Sequence, residues 1–507
     1  MSPSPALSAA VVSAFAQRMN AVSAVLLDTT TETSDHEAGD VLDLLVASIR
    51  GAVVDRGSVW LLLAALTGAL PTSSEVLEAA RVLELEDTVT SAIWLLERAR
   101  EVSLDRGNPL SEMDLVTGAV VVDVSQTARS DRHTGIQRVV RQTLPFWEAS
   151  QEILLAVWTS NGGTLRRLTE AEEQAVLRWH DCPEESVPDA AAQHRTSTPP
   201  RLFIPWDSVI ALPEVPAADT CPQLASLAEL STNRVVVIGY DAIPIVSADL
   251  RPRNEPDLFV KYLNVIKHSS RVAGISFAAT EEFRGFSESL RSQGIEGPRV
   301  MDVFLAHQEV GQDAGHGTVP GGVGDGQPLV LCVGSQEVHK NHLAVMHAAE
   351  RLWREGLDFQ LTFVGRYGWD MSAFDEQVSR LQTAGRSLAV IRGMGDDELR
   401  RAYQRARFAI FPSLHEGYGL PVAEALAAGT PVITSNFGSM QEIARDGGCL
   451  LVDPRDDEDI VGAMRSLLTD DPLVAGLRDQ ARGRTSRTWE TYAAELWDAL
   501  VAPELAS

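Results

Sequence analysis

FAIFPSLHEGYGLPVAEALAAGTPVITS, residues 408–435, decides how the chain is read. FAIF is a short apolar run of the kind that forms a buried strand, and it ends near Pro412. Gly417 and Gly419 then permit a tight turn and close backbone approach. Pro421 has no N–H to lose, so it suits the first turn of a helix, which runs through VAEALAA and stops at Gly429. Pro431 opens the next apolar run. Strand, glycine turn, helix and strand in that order make a parallel-sheet unit.

A helix start of this kind points free N–H groups outward with partial positive charge, here those of residues 419 to 422 apart from the proline's. Such a terminus, with Gly419 and Leu420 at its tip, accepts phosphate. Glu416 and Glu424 flank it, eight positions apart. Carboxylates repel phosphate; what they bind beside it is neutral hydroxyls, as hydrogen-bond acceptors. A sugar nucleotide has hydroxyls on both sides of its diphosphate. The spacing therefore gives the ribose diol to Glu424, hydroxyls of the transferred sugar to Glu416, and the diphosphate to the backbone between them. The plainer reading, a loop acid near a helix start and a solvated helical glutamate, explains each residue alone but not the two with this turn between them. A glycosidase needs its acid and its nucleophile or base on the same bond, which an intervening phosphate turn does not fit.

The chain has 507 residues, 45% hydrophobic and 22% charged, which reads as a globular chain of about three domains. Its net charge of −27 argues against nucleic-acid backbones as partners and leaves membrane association at most peripheral. Cys182, Cys221, Cys332 and Cys449 are widely separated, in no metal-ligand spacing, as expected of free thiols in the cytoplasm. No basic head, apolar run and cleavage site opens the sequence, and VWLLLAALTGAL at 59–70 is too short to span a bilayer, so it reads as a core helix. Only Lys261, Lys267 and Lys340 are lysines among 43 basic residues, so each lysine asks for a reason.

Residues 1–112 carry helical apolar stripes and read as an accessory or oligomerisation domain, giving a homo-oligomer as one expectation. From AVVVDVSQTA at 119, β-branched runs alternate with helical segments, first over 113–309 and again over 329–485. The glycine-rich stretch 310–328 reads as a linker between the two sets. Two doubly wound α/β domains face each other across one cleft, beyond the carboxyl ends of their strands.

EGYGLPVAEALAAGTPVI resembles the E-x7-E signature of retaining glycosyltransferases of family 4. That resemblance implies the GT-B fold, two facing Rossmann-like domains, over about residues 119 to 507, with the all-helical N-terminal region unexplained. VGSQEVHKN at 333–341 resembles the family's G-x-x-x-x-R-K-N, which puts Lys340 on the donor diphosphate, with His339 where the pattern has arginine. VGRYGWD at 364–370 resembles V-G-x-x-G-W and brings Arg366 near the donor. RGMGDDELRRAYQRARFAIFPS resembles the family's element before the signature, which implies that Gly393 and Met394 approach the nucleotide base through their backbone. SNFGSMQEIA at 435–444 resembles S-N-x-x-S-x-P-E, with Ser435, Asn436 and Glu442 fixing loops. DVSQTARSDRHTGIQRVVRQ resembles the first strand and glycine loop, with Gly135 at the cleft. VVVIGYDAIP at 235–244 resembles H-D-x-x-P; Tyr240 replaces the histidine, and Asp241 takes the acceptor contact or caps a turn. RTSRTWETYAAELWDAL, in 486–507, resembles the helix that crosses back to the first domain, with Trp489 in packing.

The resemblance thus implies a metal-independent hexosyltransferase in glycan assembly. Lys340, Glu416, Asp241 and Tyr240 are its catalytic candidates, a nucleoside diphosphate sugar its donor, and a glycan or lipid-linked molecule its acceptor. No cofactor is expected, and the lean is toward GDP-mannose. The alternatives are a phosphorylase or synthase on the same fold, and a sugar-nucleotide-binding protein with lost catalysis, motivated by His339 and Tyr240.

Overall fold

The computed structural model describes residues 5–27, 38–51, 53–130, 134–179, 201–306 and 326–506. Cys182 and almost all of the stretch read as a linker lie outside the described residues. Two sheets organise the chain. The first contains β1 (Met113–Thr117), β2 (Val120–Asp123), β3 (Ile153–Trp158), β4 (Leu165–Arg167), β5 (Leu202–Trp206), β6 (Val209–Leu212), β7 (Arg234–Gly239), β8 (Arg271–Gly274) and β9 (Arg299–Asp302). Their order is β1-β5-β4-β3-β2-β6-β7-β8-β9, parallel except where β4 meets β3 and β5. The second contains β10 (Leu329–Val333), β11 (Gln360–Val364), β12 (Leu388–Ile391), β13 (Phe408–Phe411), β14 (Val432–Ser435) and β15 (Cys449–Val452), all parallel, in the order β12-β11-β10-β13-β14-β15. The order reverses between β10 and β13, and the crevice beyond their carboxyl ends is where such a sheet binds its ligand.

Strand periodicity explains the layers. Val121, Ile210, Val235 and Val237 point into one core, whereas Val120, Val122, Val209, Val236 and Ile238 point into another. The second core continues across the interface to Leu331, Ala409 and Phe411 of the other sheet. Val330, Cys332, Phe408 and Ile410 face a third core on that sheet's outer side.

The N-terminal helices Pro5–Leu26, Ala38–Ile49, Arg56–Thr67, Ser73–Leu85 and Thr88–Asp105 cover the outer face of the first sheet. They share one core with it, Trp60, Leu61 and Leu62 packing with Trp158 and Phe203, rather than enclosing a core of their own. The helix read as buried at 59–70 is so: Asp55 caps it by accepting from the Ser58 amide at 2.8 Å, and Gly68, at φ +66°, ends it. The more membrane-like window by length and composition is Ala9–Leu26, with mean hydropathy 1.3, which the sequence reading passed over. In the fold this helix packs through Ala14, Arg18, Met19 and Val22. On the outside, Val89, Ile93 and Leu96 of the helix Thr88–Asp105 remain exposed.

The helix Trp489–Leu500 returns to the first domain. Trp147 Nε1 donates to the Ala493 carbonyl at 2.8 Å, and the Trp147 and Trp497 rings meet edge to face at 5.4 Å. Trp489 is buried in the same core, against Tyr492.

Arg18 ties the first helix down. It is 2% exposed, and its guanidinium donates to the Ala65 carbonyl at 2.7 Å and the Ser111 carbonyl at 2.7 Å. Burial lowers its pKa to about 10, so it stays charged at neutral pH. Arg18→Ala strands both buried carbonyls, and we expect a loss of about 2–4 kcal/mol in urea unfolding, with early proteolysis of the first helix. A loss below about 0.5 kcal/mol rejects this anchoring role.

Candidate active site at the interdomain crevice

β10 and β13 deliver two loops to the crevice at the strand-order reversal. The β10 loop carries a single helical turn, Val338–Lys340, and the β13 loop runs from Pro412 into the helix Leu420–Ala427. They are stitched together by the His339 carbonyl, which accepts from the Leu414 amide at 2.7 Å and lies 2.9 Å from Ser413 Oγ. Lys340 is thereby brought to Glu416: Nζ donates to Oε1 at 2.5 Å, and Ser413 Oγ donates to the same oxygen at 2.7 Å. Both side chains are about nine-tenths buried, and the ammonium sits 5.3 Å from the Phe411 ring centre. His339 is buried beside them, and its pKa falls to about 3, mainly through burial and then through Lys340 and Arg251, against the pull of Glu416. It is therefore neutral at neutral pH.

Gly419, at φ +107°, turns the chain into the helix. The Val422 amide bonds back to the Gly419 carbonyl at 3.0 Å. The set of free amides is thus narrower than the expected 419–422: among the described residues, only the Gly419 and Leu420 amides there carry no bond to the chain.

The first domain closes on this loop. Ser276 Oγ donates to the Gly417 carbonyl at 2.6 Å. Glu442 caps the helix Phe277–Arg291 by accepting from the amides of Phe277 and Ala278 at 2.9 and 2.7 Å, a structural use of its carboxylate. His415 lies between Glu282 Oε1 at 2.6 Å and Ser247 Oγ at 2.8 Å, and Glu282 also accepts from the Ala242 amide at 2.6 Å. Burial depresses the His415 pKa, but Glu282 outweighs it, with Asp241 and Glu416 adding, so the net shift is upward. Asp241 caps the next turn by accepting from the Ile243 amide at 3.1 Å. Its pKa is pushed up to about 6, mostly by burial; the Ile243 amide and His415 oppose this, and Glu282 and Glu416 reinforce it.

Glu424 meets the first domain too. Arg138 Nη1 donates to its Oε1 at 2.5 Å, and Tyr403 Oη donates to Oε2 at 3.4 Å. Burial raises its pKa, with Asp396 adding and Arg138 and Tyr403 opposing. Gly135 faces Leu420 directly: a Cβ on it would stand 3.3 Å from Leu420 Cδ1.

Lys340, Glu416, Asp241, Gly135, Gly419, Leu420 and Glu424 thus gather on one crevice. Tyr240 does not. Its hydroxyl donates to the Pro213 carbonyl at 2.6 Å inside the core, which corrects its reading as a catalytic group. Arg366 is exposed at the end of β11 and makes no bond to this group; its carbonyl accepts from the Gln336 amide at 3.0 Å. Met394 follows Gly393, at φ +84°, and packs half-buried on the core edge. Ser435 Oγ donates to the Ser413 carbonyl at 2.6 Å, and the exposed Asn436 bonds Val452 through its amide. Arg138, His415, Glu282 and Arg251 were missed. Arg138 was within reach, three residues beyond Gly135 on the same helix face.

Residues 320–484 match the family described as glycosyl transferases group 1. The chain is similar to serotype-specific mannosyltransferase WbdA of Escherichia coli, 27% identical over 358 residues, 65% of this chain and 40% of that protein. It is similar to O-antigen chain mannosyltransferase B of Escherichia coli, 34% identical over 170 residues, 32% of this chain and 43% of that protein. The chain thus spans less than half the length of either relative. The structure of Anabaena HepE in complex with UDP and glucose superposes with a TM-score of 0.52 at 12% identity, covering 75% of this chain and 98% of that one. The two facing Rossmann-like domains are a GT-B fold, within which residues 320–484 are similar to glycosyl transferases group 1.

Proposed function

We propose that the chain is a retaining glycosyltransferase of family 4 type, moving a hexose from a nucleoside diphosphate sugar to an acceptor hydroxyl in glycan assembly. The observation that carries this reading is the convergence of Lys340 and Glu416, from separate loops, beside a helix start whose other flank holds Glu424. Relatives that are mannosyltransferases by name support mannose as the sugar, with GDP-mannose as donor and a glycan or lipid-linked acceptor. The setting proposed is cytoplasmic.

An ammonium has three N–H donors, so Lys340 can keep Glu416 and still donate to the diphosphate. The Gly419 and Leu420 amides add fixed dipoles. Together they stabilise the negative charge that grows as the bond from the sugar's anomeric carbon to the phosphate oxygen breaks. Glu416 Oε2 accepts from a sugar hydroxyl, which orients the ring. The acceptor attacks from the leaving-group face, and a phosphate oxygen takes its proton, so the configuration is kept with no protein nucleophile and no metal in the reading. Asp241, ionised, accepts from the acceptor. Arg138 leaves Glu424 to the ribose diol and turns onto the diphosphate.

Lys340→Ala and Glu416→Gln should each lower kcat by about two to three orders of magnitude with circular dichroism unchanged. Wild-type rates in either variant reject the site. A chain that binds donor but neither transfers nor hydrolyses it is instead a binding protein.

Asp241, protonated below about pH 6, loses its acceptor role there, so kcat/KM should fall on the acid side near that pH. Asp241→Asn should flatten that limb and lower the plateau; an unchanged limb assigns it to another group.

Arg138→Ala should raise the donor KM about tenfold, the loss of one charge-assisted contact. A lower KM would mean that Arg138 only plugs the pocket.

A further inference from the structure

A second cleft, of about 650 Å³, opens beside the C-terminal half of the helix Leu420–Ala427, one helix length from the phosphate-facing turn. Phe304 and Leu305 of the first domain form one wall, and Tyr418 and Ile443 of the second form another. The segment that leads from the second domain into the returning helix Trp489–Leu500 closes it. The cleft therefore lies where the chain passes between its domains.

Its charge is opposite to that of the protein. Arg445, Arg482, Arg484 and Arg487 line it against Glu442 and Asp446, in a chain of net charge −27. Both carboxylates are already engaged: Glu442 with the amides of Phe277 and Ala278, and Asp446 with Arg484 at 3.7 Å. Arg484 also donates to the Gly447 carbonyl at 2.9 Å, and Arg487 pairs with Glu495. Arg445 and Arg482 are exposed and have no carboxylate partner among the described residues. Arg482 lies against Gly429, at the negative end of the helix, which holds its guanidinium at the cleft rim.

We propose that this cleft is a second anion site, separate from the donor crevice, that takes a soluble phosphate-bearing small molecule. Arg445 and Arg482 grip the phosphate through charge-assisted hydrogen bonds, and the exposed Phe304 side chain receives the organic part. The volume falls in the range of small-molecule sites. Because the walls come from both domains, occupancy ties the two domains together and couples the cleft to closure of the crevice.

Isothermal titration of the full chain with inorganic pyrophosphate tests this, in a Lys340→Ala background that weakens the donor crevice. That chain should still bind pyrophosphate, and adding Arg445→Ala with Arg482→Ala should weaken binding about tenfold or more. Both side chains are exposed, so the fold should tolerate the change, checked by circular dichroism. Absence of binding in the Lys340→Ala chain, or an affinity that ignores the two arginines, overturns the proposal.

Discussion

Gly417 has no room for a side chain, and the active crevice depends on that. A Cβ there would stand 2.2 Å from the Tyr240 carbonyl oxygen and 3.1 Å from Asp241 Cβ. The loop after β13 is pressed backbone to backbone against the end of β7, so one domain's turn forms part of the other's floor. With the loop seated, Ser276 reaches the Gly417 carbonyl, His415 reaches Glu282 and Ser247, and Glu416 points at Lys340. A larger residue at 417 would push the domains apart and separate all of these at once.

Such a site gains little stability from its charges. Burying Lys340 and Glu416 costs desolvation that their attraction only offsets, and an apolar pair of similar size would hold the loops as well. What the pair provides is position. The ammonium is fixed by Glu416 and the Phe411 ring while retaining donors for a ligand, and Glu416 is fixed by Lys340 and Ser413 while retaining an oxygen. The Arg138 and Glu424 pair is of the same kind but crosses the interface, so a ligand that competes for either partner also acts on the contact between domains.

The alternation of β-branched runs with helical segments made two doubly wound units legible, and Gly417, Gly419 and Pro421 located the turn that faces the crevice. Tyr240 was placed by motif position when strand parity already said otherwise. It follows Val236 and Ile238 at steps of two, on the face that fills the interdomain core, while Asp241 falls on the opposite parity. The amides were overcounted because the turn is tight enough for Val422 to bond Gly419. The His415–Glu282 and Arg138–Glu424 pairs join residues 133 and 286 positions apart. No local period encodes them, since they exist only once the domains have closed. The N-terminal helices likewise show their stripes in sequence, but not that the stripes fit the outer face of a sheet.

His339 brings no charge of its own to the crevice. It occupies the position where the resembled motif has arginine, yet burial beside Lys340 keeps it neutral. A cation does reach this loop, from the other domain. Arg251 Nη1 stands 3.5 Å from His339 Nδ1 and 2.5 Å from Glu337, and Glu255 holds the guanidinium from behind at 2.7 and 2.9 Å. Arg251 thus acts as a tie between the domains rather than as a free cation, its charge shared between Glu255 on its own domain and Glu337 on the loop.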